Sequence, residues 1–263
     1  MYAFNYERPA SEADAVRLAR AGGTLLAGGQ TLLASMKLRL AQPEQLIDLA
    51  GIAALAGIRR DGDALVIGAM TRHAEVASSA EVQSAIPALA ELAGMVGDRQ
   101  VRAMGTIGGS LANNDPAADY PAGALALGAT IVTTDRQIPA DDFFQGMFAT
   151  ALEEGELITS VRLPVPKRAA YVKFAQPASR FALIGVFVAE TAGGVRVAVT
   201  GGGNGVFRQT DMEAALAGNF SAGALAGIKT GTDQISGDLH GSAAYRAHLV
   251  DVMAGRAVAK ALG

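Results

Sequence analysis

Two glycine pairs in matching surroundings, Ala27-Gly28-Gly29-Gln30-Thr31 and Thr106-Ile107-Gly108-Gly109-Ser110, constrain the backbone of this chain more than any other feature. Ahead of the first pair lies the short apolar run Thr24 to Ala27, and after it comes Thr31 to Leu40, rich in helix formers. The order reads as strand, glycine turn, helix, with Thr31 placed to cap. A strand near Phe4 to Tyr6, a helix from Glu12 to Arg20 capped by Ser11 with Asp14 three residues on, and a strand at Leu46 to Leu49 complete an alternating pattern. Parallel strands need helical crossovers, so residues 1–57 are expected to form a small βαβαβ unit.

The pattern then changes. Residues 58–165 mix strands such as Ala64 to Gly68 with an apolar helix around Val82 to Met95, an aperiodic stretch from Asp98 to Met104, a short helix at Tyr120 to Gly128 and a strand at Thr130 to Thr134. The strand Leu157 to Leu163 runs into Pro164-Val165-Pro166, which marks a boundary. Residues 166–263 offer strands at Tyr171 to Phe174, Leu183 to Glu190 and Val195 to Thr200, the glycine-rich turn Gly201 to Gly205, and helical stretches ending at Leu262. The expected class is α+β in three parts.

Glycine has no Cβ, so its amides approach a bound anion more closely than those of other residues. Gly-Gly is also an ordinary turn signal, and one isolated pair decides nothing. The formal charge of −3 carries no electrostatic footprint for nucleic acid. With no cysteine, the 263 residues hold neither a disulfide nor a cysteine-ligated cluster, so any such cluster belongs to another chain. His73, His240 and His248 are scattered without partners at metal-ligand spacing, and no Walker loop, nucleophile elbow or G-x-G-x-x-G fingerprint occurs. The N-terminus shows no basic-then-apolar signal pattern and no apolar run reaches about 18 residues, so a cytoplasmic protein without a membrane span is expected.

The two glycine segments, the stretch through Asp115, Pro116, Asp119 and Pro121, the run Tyr171-Val172-Lys173-Phe174 and the terminal Leu239 to Arg246 occur in this order along nearly the whole chain. Together they resemble the FAD-binding subunit of the molybdenum hydroxylases, the xanthine dehydrogenase and aerobic carbon monoxide dehydrogenase group. The resemblance implies a two-part FAD-binding domain, residues 1–57 and 58–165, followed by a small C-terminal sheet-and-helix domain, 166–263. It implies FAD on this chain, and a molybdenum cofactor and [2Fe-2S] clusters on a large and a small partner subunit in a dimer of heterotrimers.

In that reading Ala27 to Thr31 form the first flavin segment, with Leu32 beside it at the cofactor, Gly28, Gly29, Gln30 and Thr31 on one side of the pyrophosphate and Gly108, Gly109 and Ser110 on the other, and Thr106 adds a hydroxyl. Asp119 accepts from ribose hydroxyls, or else caps the helix that follows. Lys173 sits near the pyrimidine end of the flavin, or else on a solvated strand face. Phe181 stacks on the ring where some members have tyrosine. Arg99 and Arg102 contact phosphate or a partner, or form a solvated loop pair. The implied function is electron transfer from iron–sulfur clusters through FAD to a terminal acceptor, with no acid–base residues on this chain. A free-standing FAD oxidoreductase and a non-catalytic FAD- or nucleotide-binding module are the alternatives.

Overall fold

The computed structural model describes residues 1–263. Strands Asn5–Glu7, Gln45–Asp48 and Thr24–Leu26 lie side by side in that order as a parallel sheet, joined by helices Glu12–Arg20 and Leu32–Lys37. The Ser11 hydroxyl accepts from the Asp14 amide at 3.1 Å, a bond that stabilises a helix start by about 1 kcal/mol. Asp14 does not reach back to the Ser11 amide; its carboxylate accepts from the Ser11 hydroxyl instead, at 2.8 Å.

The second helix is shorter than expected and is not capped by Thr31. Thr31 has helical angles, φ −98° and ψ −53°, whereas a capping side chain needs an extended backbone to turn back on the first amides. Behind the sheet, Ala15, Ala19, Ile47, Leu49 and Leu55 pack with Leu157 from the middle of the chain, which docks this unit on the next.

The middle sheet has the strand order Ile58–Asp61, Ala64–Gly68, Ile158–Pro164, Thr130–Thr133, Gln137–Pro139, all antiparallel. The helix expected over Val82 to Met95 is two, Ala80–Ala85 and Pro87–Gly94. The proline ring disfavours helical angles at the residue before it, and Ile86 accordingly has ψ 72°. Asp98 to Met104, expected as irregular, contains helix Arg99–Met104, because the Asp98 carboxylate accepts from the Val101 amide at 2.8 Å. Helix Tyr120–Leu127 is buried on every side, and its small residues let it lie close to its neighbours: a Cβ at Gly123 would stand 3.2 Å from Leu92 and 3.6 Å from Phe187.

Strands Arg168–Ala175, Ala182–Thr191, Gly194–Thr200 and Phe207–Arg208 make the third sheet, antiparallel throughout. One face carries Ile184, Val186 and Val199 against Val250, Met253 and Ala257 of helix Ala243–Leu262. The other gives Tyr171, Phe187 and Ala198 to the core of the middle sheet, so the second and third parts share one interior. The terminal motif has a role within the fold, because the buried Arg246 guanidinium donates to the Gly201 carbonyl at 2.5 Å and to Asp238 at 2.7 Å. It thereby fixes the glycine-rich turn against the last helix.

Candidate functional site

A cavity of about 490 Å³ is bounded by the turn after Thr24–Leu26, by the segment around Gly105 to Ser110, by Leu152 to Ile158 and by the Ser179 to Phe181 loop. Ala27, Gly28, Gly29, Gln30, Thr31, Leu32, Thr106, Gly108, Gly109, Ser110, Asp119 and Phe181 line it, and Lys173 does not. Its volume lies within the range of roughly 300–1,000 Å³ typical of small-molecule sites.

The first glycine loop presents free donors. The amides of Gly28, Gly29, Gln30 and Thr31 make no hydrogen bond within the chain. Gly29 has φ +69°, a left-handed angle that glycine adopts without strain, whereas Gly28 abuts the chain ahead of the second loop: a Cβ there would lie 2.6 Å from the Gly105 Cα. The two glycines therefore serve different ends, one shaping the turn and one admitting a neighbouring backbone.

The second loop differs from expectation in where its amides go. It is the first turn of helix Ile107–Asn113, and its donors are engaged internally: Ile107 to the Thr71 carbonyl at 3.1 Å, Gly108 to the Ala69 carbonyl at 2.8 Å, Gly109 to the Thr106 hydroxyl at 3.2 Å and Ser110 to the Thr106 carbonyl at 3.0 Å. Gly108 is required by packing, since a Cβ there would stand 2.5 Å from that of Ala69. The helix ends at Asn114, φ 42°, whose side-chain amide donates to the Gly146 and Ala149 carbonyls at 2.8 and 2.7 Å. This loop offers the cavity a rigid wall and the Ser110 side chain.

Asp119 precedes helix Tyr120–Leu127 but its side chain makes no capping bond. One carboxylate oxygen accepts from the Tyr171 hydroxyl at 2.5 Å and the other from the Lys173 ammonium at 2.9 Å. The two charged side chains are 4% and 2% exposed. Burial leaves the Asp119 carboxyl above its ordinary value, a rise that the Lys173 charge and both hydrogen bonds oppose; an ammonium and a phenol both aimed at it hold the group as a carboxylate. Burial and the adjacent Asp119 drive the Tyr171 phenol far above its ordinary value, so it remains a donor.

Lys173 also donates to the Met95 carbonyl at 3.1 Å and is sealed behind Asp119, neither solvated nor at the cavity wall. Side chains two apart on a strand share a face, and Tyr171 and Lys173 both turn inward from strand Arg168–Ala175.

Around the mouth, Phe181 is 47% exposed and Arg180 sits at φ +63°. Arg102 is a structural tie, not a solvated loop residue: its guanidinium donates to the Val96 and Gly97 carbonyls at 2.9 and 3.1 Å and holds the turn that lines the cavity. The wall also includes Met70, His73, Val96, Leu157 and Ile158, none singled out in the sequence as ligand-facing. The apolar members carry no local signal that separates a cavity wall from a core. His73 is 4% exposed, and burial together with the charge of Arg102 lowers its pKa to about 4, so the ring is neutral.

Residues 2–166 match the family described as the FAD binding domain in molybdopterin dehydrogenase. The carbon monoxide dehydrogenase medium chain of Hydrogenophaga pseudoflava is 37% identical, over 98% of this chain and 96% of its own length. That of Afipia carboxidovorans is 38% identical over the same shares. In a solved structure of a Cu,Mo-CO dehydrogenase in its cyanide-inactivated form, one chain superposes with a TM-score of 0.91 at 36% identity, covering 98% of this chain and 97% of that one. With the cavity, its open amide turn and its apolar walls, these likenesses make the chain a member of the FAD-binding medium subunits of the molybdenum hydroxylases, an oxidoreductase family.

Proposed function

We propose that this chain binds FAD in the cavity and serves as the electron-transfer subunit of a molybdenum hydroxylase, between iron–sulfur clusters on a small subunit and a terminal acceptor. The observation that carries the reading is the run of free amides from Gly28 to Thr31 set between apolar walls. A pyrophosphate is a dianion that such a nest binds without lysine or arginine, and the adenine and isoalloxazine on either side of it are flat and largely apolar. The flavin when bound supplies the redox chemistry, and the protein supplies position and electrostatics.

Within this reading Gly28, Gly29, Gln30 and Thr31 donate to the pyrophosphate, flanked by Ala27 and Leu32. Thr106, Gly108, Gly109 and Ser110 form the facing wall. Asp119 accepts from a ribose hydroxyl, since a carboxylate offers about four acceptor positions and only two are occupied here. Lys173 acts through Asp119, keeping it ionised and oriented, and Phe181 covers the ring. Residues 1–57 and 58–165 hold the cofactor, and 166–263 closes it in and faces the partners.

Relatives that are medium chains of multi-subunit enzymes support a complex with a molybdenum-cofactor large subunit and an iron–sulfur small subunit, and we extend this to a dimer of heterotrimers in the cytoplasm. The absence of cysteine supports placing every cluster on a partner. No helix here is long and apolar enough to cross a membrane.

The experiment is a titration of the purified chain with FAD, FMN and NAD, followed by mixing with the cognate iron–sulfur subunit reduced beforehand. Selective FAD binding and rapid bleaching of the flavin absorbance are expected. A folded chain that ignores FAD overturns the proposal; bound flavin that the partner does not reduce returns the chain to a binding module, and turnover of a substrate by the chain alone makes it a free-standing oxidoreductase.

A further inference from the structure

His73 stands in the cavity wall with an imidazole that the chain itself does not satisfy. Its Nδ1 is sealed from solvent and has no hydrogen-bond partner, and its Nε2 bonds to no group of the protein. The nearest ring, Tyr120 at 5.2 Å between centroids, does not help, because its own hydroxyl is sealed without a partner. A core histidine that served only packing would leave a polar residue buried at a cost of about 1–3 kcal/mol with nothing to offset it. Nδ1 and the Tyr120 hydroxyl are sealed from the cavity as well, so the atom left for a ligand in it is Nε2.

The tautomer follows from the surroundings. The ring is neutral, so one nitrogen carries a proton and the other a lone pair. A sealed N–H without an acceptor is rarer in proteins than a sealed acceptor without a donor, which places the lone pair on Nδ1 and the proton on Nε2. Nε2 faces Gly105: a Cβ there would lie 2.6 Å from it. On its other side the Gly105 Cα is met by Gly28, the first residue of the free amide run. Glycine at both positions lets the Gly105 backbone contact the imidazole and the Gly28 turn alike, with no side chain at either position. Arg102, the nearby cation, is held by the Val96 and Gly97 carbonyls and does not stand in for it.

Resting on the FAD reading above, we propose that His73 is a further cofactor-binding residue, whose Nε2–H donates to the pyrophosphate beside the Gly28 to Thr31 amides. The proposal gives Gly105 a purpose, since any side chain at that position would cover Nε2.

The test uses the purified chain with FAD and with ADP, which carries the pyrophosphate but no flavin. His73→Phe keeps the ring shape and removes the donor; His73→Gln restores an N–H at similar reach. Phe should weaken both ligands by about tenfold or more, as expected for a hydrogen bond to a charged group, and Gln should recover part of the loss. Thermal unfolding of the cofactor-free variants shows whether they fold. In the wild-type chain, the ¹⁵N resonance of His73 Nε2 should move on adding ADP, a readout that needs no variant. Unchanged FAD affinity in folded His73→Phe, a penalty on FAD but none on ADP, or an unmoved Nε2 resonance with ADP bound would overturn the assignment. Failure of the wild-type chain to bind FAD at all would instead remove the reading on which it rests.

Discussion

The two glycine loops look alike in sequence and do opposite things with their backbone. In the first, the amides from Gly28 to Thr31 are left without partners, and in the second, those from Ile107 to Ser110 all find acceptors inside the protein. The difference lies in what runs alongside. The second loop lies against Ala69 to Thr71, whose carbonyls accept from Gly108 and Ile107, while the Met104 carbonyl that packs beside the first meets the Cα side of Gly28 and takes none of its amides. One loop is built to receive a ligand and the other to hold the wall it is received against.

The largest effect is expected where the internally satisfied side of the molecule is most tightly coupled. Replacing Lys173 with methionine leaves the Asp119 carboxylate buried with Tyr171 alone, and removing one partner of a buried ion pair costs about 3–5 kcal/mol. Urea unfolding of the cofactor-free chain should show that loss, and Asp119→Asn in the same chain should restore much of it. A Lys173→Met protein as stable as wild type would mean that the pair is solvated, and the contrast between the two regions would weaken.

Next comes Gly108→Ala. Its Cβ meets the Ala69 Cβ at 2.5 Å and the Ala69 carbonyl at 2.8 Å, atoms that cannot move without disturbing the loop, so stability should fall by about 1–3 kcal/mol. Gly29→Ala is the matched change in the first loop. There the Cβ meets side chains, Leu33 at 2.7 Å and the Leu26 Cδ1 at 3.3 Å, and no backbone, so the main penalty comes from φ +69°, roughly 1–2 kcal/mol. The free loop relaxes to avoid that strain and must be forced back to bind, so the effect should appear as about tenfold weaker FAD binding with little change in unfolding. Equal effects of both substitutions on both readouts would erase the distinction between the loops.

Much of the scaffold was legible because it obeys local rules. The Ser11 cap, the strand that runs into Pro164 and the alternation of strands and helices in residues 5–48 can be read without knowing the fold. Pro87 was legible too in principle, as a break between two helices, and Asp98 as a cap, but apolar periodicity masked the first and its absence masked the second. The site was legible as a set of positions and not as a set of contacts. Whether an amide is free depends on carbonyls about 40 residues away in the chain, and Lys173 meets Asp119 across a separation of 54 residues. His73 was visible only as an isolated histidine, since neither its burial nor the glycine facing it has a local signature.

The smallest expected effect is the most discriminating for the second loop. Thr106 is 3% exposed, and its hydroxyl accepts the Gly109 amide, so Thr106→Ala removes a helix cap and frees one donor at the cavity wall. The cap accounts for about 1 kcal/mol of stability, and Thr106→Ser, which keeps the hydroxyl, should lie close to wild type. If the second loop is only a wall, FAD affinity in Thr106→Ala should stay within about threefold of wild type, less than the loss of one hydrogen bond to a charged group. A gain in affinity would show that the freed Gly109 amide reaches the ligand once its internal partner is gone. A tenfold loss, absent in Thr106→Ser, would show that the hydroxyl itself touches the cofactor, and the two loops would then have to be counted as partners in binding.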